Sequence, residues 1–247
     1  MLQNLTEIKI MKKYINFFGA ILIASTFAAC GSAGVKTEST DAKNVENSAY
    51  DKVYQVTTEG SLLDWEGYKP TGKHHGTIGL SSGELMMKNG NLVGGEFVVD
   101  MNSIIDLDLE DAEYNAKLVG HLKSADFFEV ETYPTAKFVI TAVNPVDAAQ
   151  IELEKAKGEV VPTHTITGNL TLKATTKSIT FNAMVNVNDD KFEARTNQFF
   201  IDRSEWAVKY GSRKFFSDLQ DKFINDEMGI GIKLVATPKS SETAEVK

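Results

Sequence analysis

Between Tyr54 and Val235 apolar side chains return at every second residue in run after run, and that spacing commits most of the chain to strands with one apolar face. In the stretch Gly95 to Met101, Phe97, Val99 and Met101 share one face while Glu96, Val98 and Asp100 take the other. The alternation recurs in Tyr54–Val56, Leu63–Trp65, Lys137–Thr141, Ile166–Leu172, Ile179–Val185, Phe192–Ile201 and Met228–Val235. Turn residues part the runs at Lys69-Pro70-Thr71-Gly72, Ser81-Ser82-Gly83, Lys88-Asn89-Gly90-Asn91 and Asn188-Asp189-Asp190. Asn89-Gly90 between two apolar runs is the strongest hairpin signal. Many short strands joined by tight turns predict an all-β antiparallel barrel or sandwich. A barrel of about eight strands leaves room for a small ligand, whereas a filled sandwich core leaves none, and periodicity alone allows both. Gly79, Gly94, Gly95 and Gly168 mark candidate bulges or corners.

Two stretches break the pattern. From Asp108 to Ala125, Leu107, Tyr114, Leu118, Leu122 and Ala125 recur at helical spacing, with Asp106 or Asp108 as the expected cap. Gly211 to Asp226 reads as a loop holding one helical turn.

The N-terminus reads as a leader. Met11-Lys12-Lys13-Tyr14 is a short basic segment, and Ile15 to Ala29 is apolar but too short for a comfortable membrane span. Phe27-Ala28-Ala29-Cys30-Gly31 resembles a lipobox, which makes Cys30 the expected lipidation site; it is the one cysteine in 247 residues, so no internal disulfide forms. The expected organisation is a lipoprotein signal peptide at 1–30, with Met11 the expected true start. A flexible tether at 31–49, one barrel domain at 50–237 and a disordered tail at 238–247 follow. Removing 1–30 takes away three lysines and one glutamate and moves the formal net charge from −8 to −10. So acidic a chain is a poor partner for nucleic acid, and attachment to a membrane has to come from lipid. The expected location is the cell envelope, anchored to a membrane and facing the periplasm or the cell surface.

Catalytic patterns are missing. No HExxH, GxSxG or GxxxxGK[ST] occurs. Adjacent strand residues such as His74 and His75 face opposite ways, which argues against one ion held by both, and His121 and His164 have no partner at ligand spacing. Asp106, Asp108, Glu110, Asp111 and Glu113 do not fit a calcium loop and are explained as a solvated helix start. No metal, no cofactor and no enzyme activity are expected. What remains is a supply of large apolar side chains. Trp65, Phe97, Val99, Met101, Phe127, Phe128, Phe138, Ile140, Phe181, Phe199 and Trp206 are the candidate lining of an apolar pocket. His74, His75 and Arg203 are candidates for a polar headgroup; Arg203 can instead pair with Glu205.

Several spaced motifs resemble the YceI-like polyisoprenoid-binding family. They are His74 to Gly79 (HHGTIG), Gly95 to Ile104 (GEFVVDMNSI), and His121 to Phe128 (HLKSADFF) with Tyr133-Pro134 and Lys137-Phe138. Ile166 to Leu172, Thr176 to Ile179, Asp202 to Trp206 (DRSEW) and Asp226 to Leu234 complete the set, and the resemblance spans Tyr50 to Ala236. It implies a lipocalin-like eight-stranded antiparallel barrel with an apolar tunnel. It also implies a periplasmic or secreted protein that binds a polyisoprenoid, such as a quinone or prenyl phosphate, for storage or transport. The lipobox and the longer Gly60 to Lys73 hairpin with Trp65 depart from many members. The alternative is a non-catalytic interaction module of the envelope with a closed core.

Overall fold

The computed structural model describes residues 35–46 and 48–239. Cys30, the leader and the tail beyond 239 lie outside the described residues. The elements run β1 (Val35–Lys36), β2 (Thr40–Asp41), β3 (Lys52–Val56), β4 (Leu62–Lys69), β5 (Gly72–Lys88), β6 (Asn91–Asp100) and β7 (Ile105–Asp106). Then come α1 (Ala112–Lys123), β8 (Thr135–Pro145), α2 (Ala148–Lys157), β9 (His164–Leu172), β10 (Thr175–Val187), β11 (Phe192–Arg195), β12 (Phe199–Asp202) and β13 (Glu227–Pro238).

Eight strands close a ring in the order β3, β5, β6, β8, β9, β10, β11, β13 and back to β3, every pairing antiparallel. The expected barrel therefore forms. Along this ring closure removes the open edges that a flat sheet would expose. Further along the barrel β4 takes the place of β3 between β13 and β5, and β12 takes the place of β11 beside β13. Alternate residues face inward, so Phe97 and Val99 on β6, Phe138 and Ile140 on β8 and Phe181 and Ala183 on β10 are all buried.

The glycines sit where the strands bend. Ser81-Ser82-Gly83, expected as a turn, is instead part of the 17-residue β5, which slips register against β6 between Leu80 and Ser82. A bulge lets one long strand turn a barrel corner without a loop. Gly168 pairs with Ile140 beside a second register shift in β8. A Cβ there would lie 2.2 Å from Cζ of Phe138, so glycine is what lets that ring lie across β9.

The N-terminal segment differs from expectation. β12 does not pair with β10, and the gap between them is bridged by residues 35–41. β1 runs parallel to β12, with Val35 opposite Phe199, and β2 runs antiparallel to β10, with Thr40 opposite Ser178. Thr37 N–H donates to Phe200 O (2.7 Å) and its Oγ1 donates to Thr180 O (3.1 Å). The expected tether 31–49 is thus bound to the wall over 35–41. Its small polar side chains hid this, because two open strand edges bind a segment through its backbone.

Helix α1 forms as expected, but its cap is Asp111, which accepts from Glu113 N and Tyr114 N, and not Asp106 or Asp108. Tyr114 and Leu107 of the expected apolar stripe are exposed; Leu122 is the buried residue of the helix. Helix α2 was not anticipated, although Asp147 caps its start and Gly158 at φ +70° ends it. Among the described residues no helix is long and apolar enough to cross a membrane.

Candidate functional site

The barrel encloses an apolar cavity of about 120 Å³, roughly tenfold the 10–15 Å³ that one water requires. Its wall takes inward residues from every side of the ring. Of the expected lining, Trp65, Phe97, Val99, Met101, Phe127, Phe128, Phe138, Phe181 and Phe199 contribute to it. Ile140 lines a second, smaller cavity of about 40 Å³. Trp206 lines neither: it is fully buried in a 3-10 turn over Arg203–Trp206, and its Nε1–H donates to Leu170 O at 3.0 Å. Strand parity does not govern a residue on such a turn, which is why its aromatic character misled. Sequence reasoning passed over aliphatic lining such as Ile230 and Ile232, whose alternation with Gly229 and Gly231 was the available signal.

Phe97, Phe138 and Phe181 line both cavities and so stand between them. They form a ladder with Phe199: ring centroids are 5.3 Å apart for Phe97–Phe138, 5.4 Å for Phe138–Phe181 and 4.8 Å for Phe181–Phe199. Such offset and tilted pairs contribute about 0.5–1.5 kcal/mol each beyond area burial.

Three residues that carry polar groups, Glu66, Arg203 and Asn225, belong to the wall of the main cavity, whose exposed surface is apolar. Arg203 is 3% exposed, and its guanidinium is fixed from three directions. Nε donates to Asn225 O (3.0 Å), Nη1 to Val208 O (2.8 Å) and Nη2 to Ile224 O (3.1 Å). Its ion partner is Asp226, 3.6 Å from Nη2, and not Glu205, whose carboxylate lies 3.7 Å from Lys177. The closer partner comes from the far end of the 211–226 loop, a separation that local spacing does not reveal. Burial lowers the Arg203 pKa, while Asp226 and Asp202 oppose that shift. Burial pushes Glu66 up, but hydrogen bonds from Tyr68, Lys73 and Gln198 outweigh it and hold the carboxyl below its usual value. The Tyr68 hydroxyl is raised, first by burial and then by Glu66.

His74 and His75, expected as headgroup ligands, are absent from the cavity wall. Asp108 draws them to itself. His74 Nδ1 lies 2.9 Å from Asp108 Oδ2, and His75 Nδ1 lies 3.6 Å from Oδ1, which also accepts the His75 backbone N–H at 2.7 Å. Asp108 follows β7 along the edge of β5 and so reaches both faces of the strand. Beside it, Asp106 is pushed above the usual carboxylate range, first by burial and then by Asp108.

The model of the family described as YceI-like domain matches residues 54–236. A UPF0312 protein of Pseudomonas putida strain W619 is 33% identical over 139 residues, and one of strain GB-1 is 32% identical over 139 residues. Each match takes in 54% of this chain and 62% of the relative, so the chain spans about three-fifths of the length of the curated relatives it matches. Among solved structures, Burkholderia cenocepacia BcnA gives a TM-score of 0.54 at 22% identity, covering 74% of this chain and 99% of that one. A polyisoprenoid binding domain from Saccharophagus degradans, described as implicated in plant cell wall breakdown, gives 0.51 at 16% identity, covering 76% and 100%. These two likenesses establish a shared fold.

Proposed function

Because the chain belongs to the YceI-like domain family, we propose that it is a binding protein of the cell envelope that holds a polyisoprenoid, such as a quinone or prenyl phosphate, inside its barrel for storage or transport. The observation that carries this reading is the apolar cavity of about 120 Å³, with Arg203 at its wall. A guest that buries about 300 Å² of apolar surface gains about 7 kcal/mol before the costs of association, so affinity needs no hydrogen bond. The neighbouring fold described as a polyisoprenoid binding domain supports the same ligand class. Part of the tail occupies the main cavity, and a headgroup lies toward Arg203 and Asn225. The lipobox-like segment at Cys30 supports a lipid anchor in a membrane, facing the periplasm or the cell surface.

Organic extraction of the full chain purified from its envelope, followed by mass spectrometry, tests the ligand. A prenyl lipid at about one per chain is expected. Extracts that are consistently empty, together with no uptake of added prenyl quinone, would leave the closed-core interaction module as the surviving reading. The anchor is tested by radiolabelled acyl incorporation, expected in the wild type and absent from Cys30→Ala.

A further inference from the structure

We propose that His74, Asp106 and Asp108 form a binding site for a divalent cation of the zinc class at the rim of the barrel, separate from the apolar cavity. One ligand atom from each of the three lies within 4.8 Å of the others. Bonds of about 2.1 Å around a tetrahedral ion put its ligands about 3.4 Å apart, so modest side-chain rotation closes the set. An imidazole with two carboxylates is a zinc-type donor set; calcium takes six to eight oxygens and has no use for the ring nitrogen.

The observation that points to a ligand is Asp106. It is 6% exposed, and its Oδ2 is buried with no hydrogen-bond partner. Its other oxygen is well used, accepting from Leu109 N at 2.9 Å and from Asn115 Nδ2 at 3.2 Å. One side of the carboxyl is therefore held by the fold, and a carboxylate oxygen of Asp106 lies within 4.8 Å of ligand atoms of Asp108 and His74. Leaving a buried acceptor unsatisfied costs about 1–3 kcal/mol, and a like charge beside it adds to that cost. The other buried acceptor of this kind, Asp226 Oδ1, lies 3.6 Å from Arg203 and has its cation.

The fold builds the site with care. Gly76 pairs with Asp106, and a Cβ on Gly76 would lie 1.9 Å from Ile105 O, so only glycine lets β7 approach β5 this closely. Asn115 of α1 also donates to Asp106 O, and Trp65 Nε1–H donates to Ile105 O. A cation here ties β5, β7 and α1 together beside a residue of the cavity wall. The ligands come from positions 74 and 106–108, a separation that no local sequence motif shows.

Zinc titration of the tag-free full chain, followed by calorimetry and thermal melting, tests this. One zinc per chain is expected, with a melting midpoint raised by about 5–10 °C at a hundredfold excess over Kd. Asp106→Asn keeps the acceptor for Leu109 and Asn115, so it is expected to match the wild-type midpoint without zinc and to bind zinc at least tenfold more weakly. His74→Gln supplies a second variant with the same expectation, should Asp106→Asn fold poorly. Absence of zinc binding, equal binding by folded variants, or preference for calcium would overturn the proposal.

Discussion

Arg203 shows how much a single side chain can hold. Three of its donors are spent on carbonyls of residues 208, 224 and 225, and Asp226 faces it at 3.6 Å. This planar fork ties the long loop before β13 to the barrel end. Lysine has the charge but not the geometry. Arg203→Lys keeps the cation but loses carbonyl hydrogen bonds, and is therefore expected to destabilise the fold by about 2–4 kcal/mol, as read from urea midpoints. A change under about 0.5 kcal/mol would contradict the tie. Its neighbour Asp202 gives a pH signature. Burial raises its carboxyl, but Lys214 and Ser204 outweigh that and hold it below its ordinary 3.8. A carboxyl depressed in the folded state lends stability that is fully present above 3.8 and is lost as pH falls through the folded value. Asp202→Asn is expected to be less stable than the wild type at pH 5, with the gap shrinking in urea titrations as the pH drops well below 3.8; a constant gap would contradict this. At this scale Phe97, Phe138 and Phe181 were legible from parity, whereas the Arg203–Asp226 pair was not, because its partners meet only once the loop has closed.

Among the elements, the seam between β10 and β12 is where the ring depends on backbone from elsewhere. The strands beside it end in unpaired edges, and residues 35–41 fill them with two short pairings and the two bonds of Thr37. Thr37→Pro removes both donors at once. It is expected to raise amide exchange in 35–41 and in β12 by about tenfold, with β5 and β6 unaffected, since one net hydrogen bond is worth about that factor. Unchanged protection along this seam would show that the segment rests there without closing it. The strands were legible because alternate apolar burial writes itself into sequence. Segment 35–41 was not, because backbone pairing along an edge asks little of side chains. The cap of α1 fell at Asp111 for a related reason: Asp106 and Asp108 already accept hydrogen bonds from Leu109 and His75.

For the whole molecule, closure and cavity are two faces of one arrangement. Eight strands close a ring whose interior is apolar, and the Phe97–Phe138–Phe181 ladder divides the space into about 120 Å³ and about 40 Å³. Sequence alternation predicted a barrel wall but left a filled core open, because volume depends on how side chains from distant strands meet. Ala136 supplies the means to separate a cavity that binds from one that is merely left over. It is buried on the wall of the main cavity, where a larger ring fills space without adding charge. The most direct measurement is a binding isotherm of delipidated wild type and Ala136→Phe with a prenyl quinone, run beside thermal melts. The account predicts saturable binding at about one quinone per wild-type chain, and at least tenfold weaker binding by an Ala136→Phe variant that melts at or above the wild-type temperature. Equal binding by the two folded proteins would contradict it.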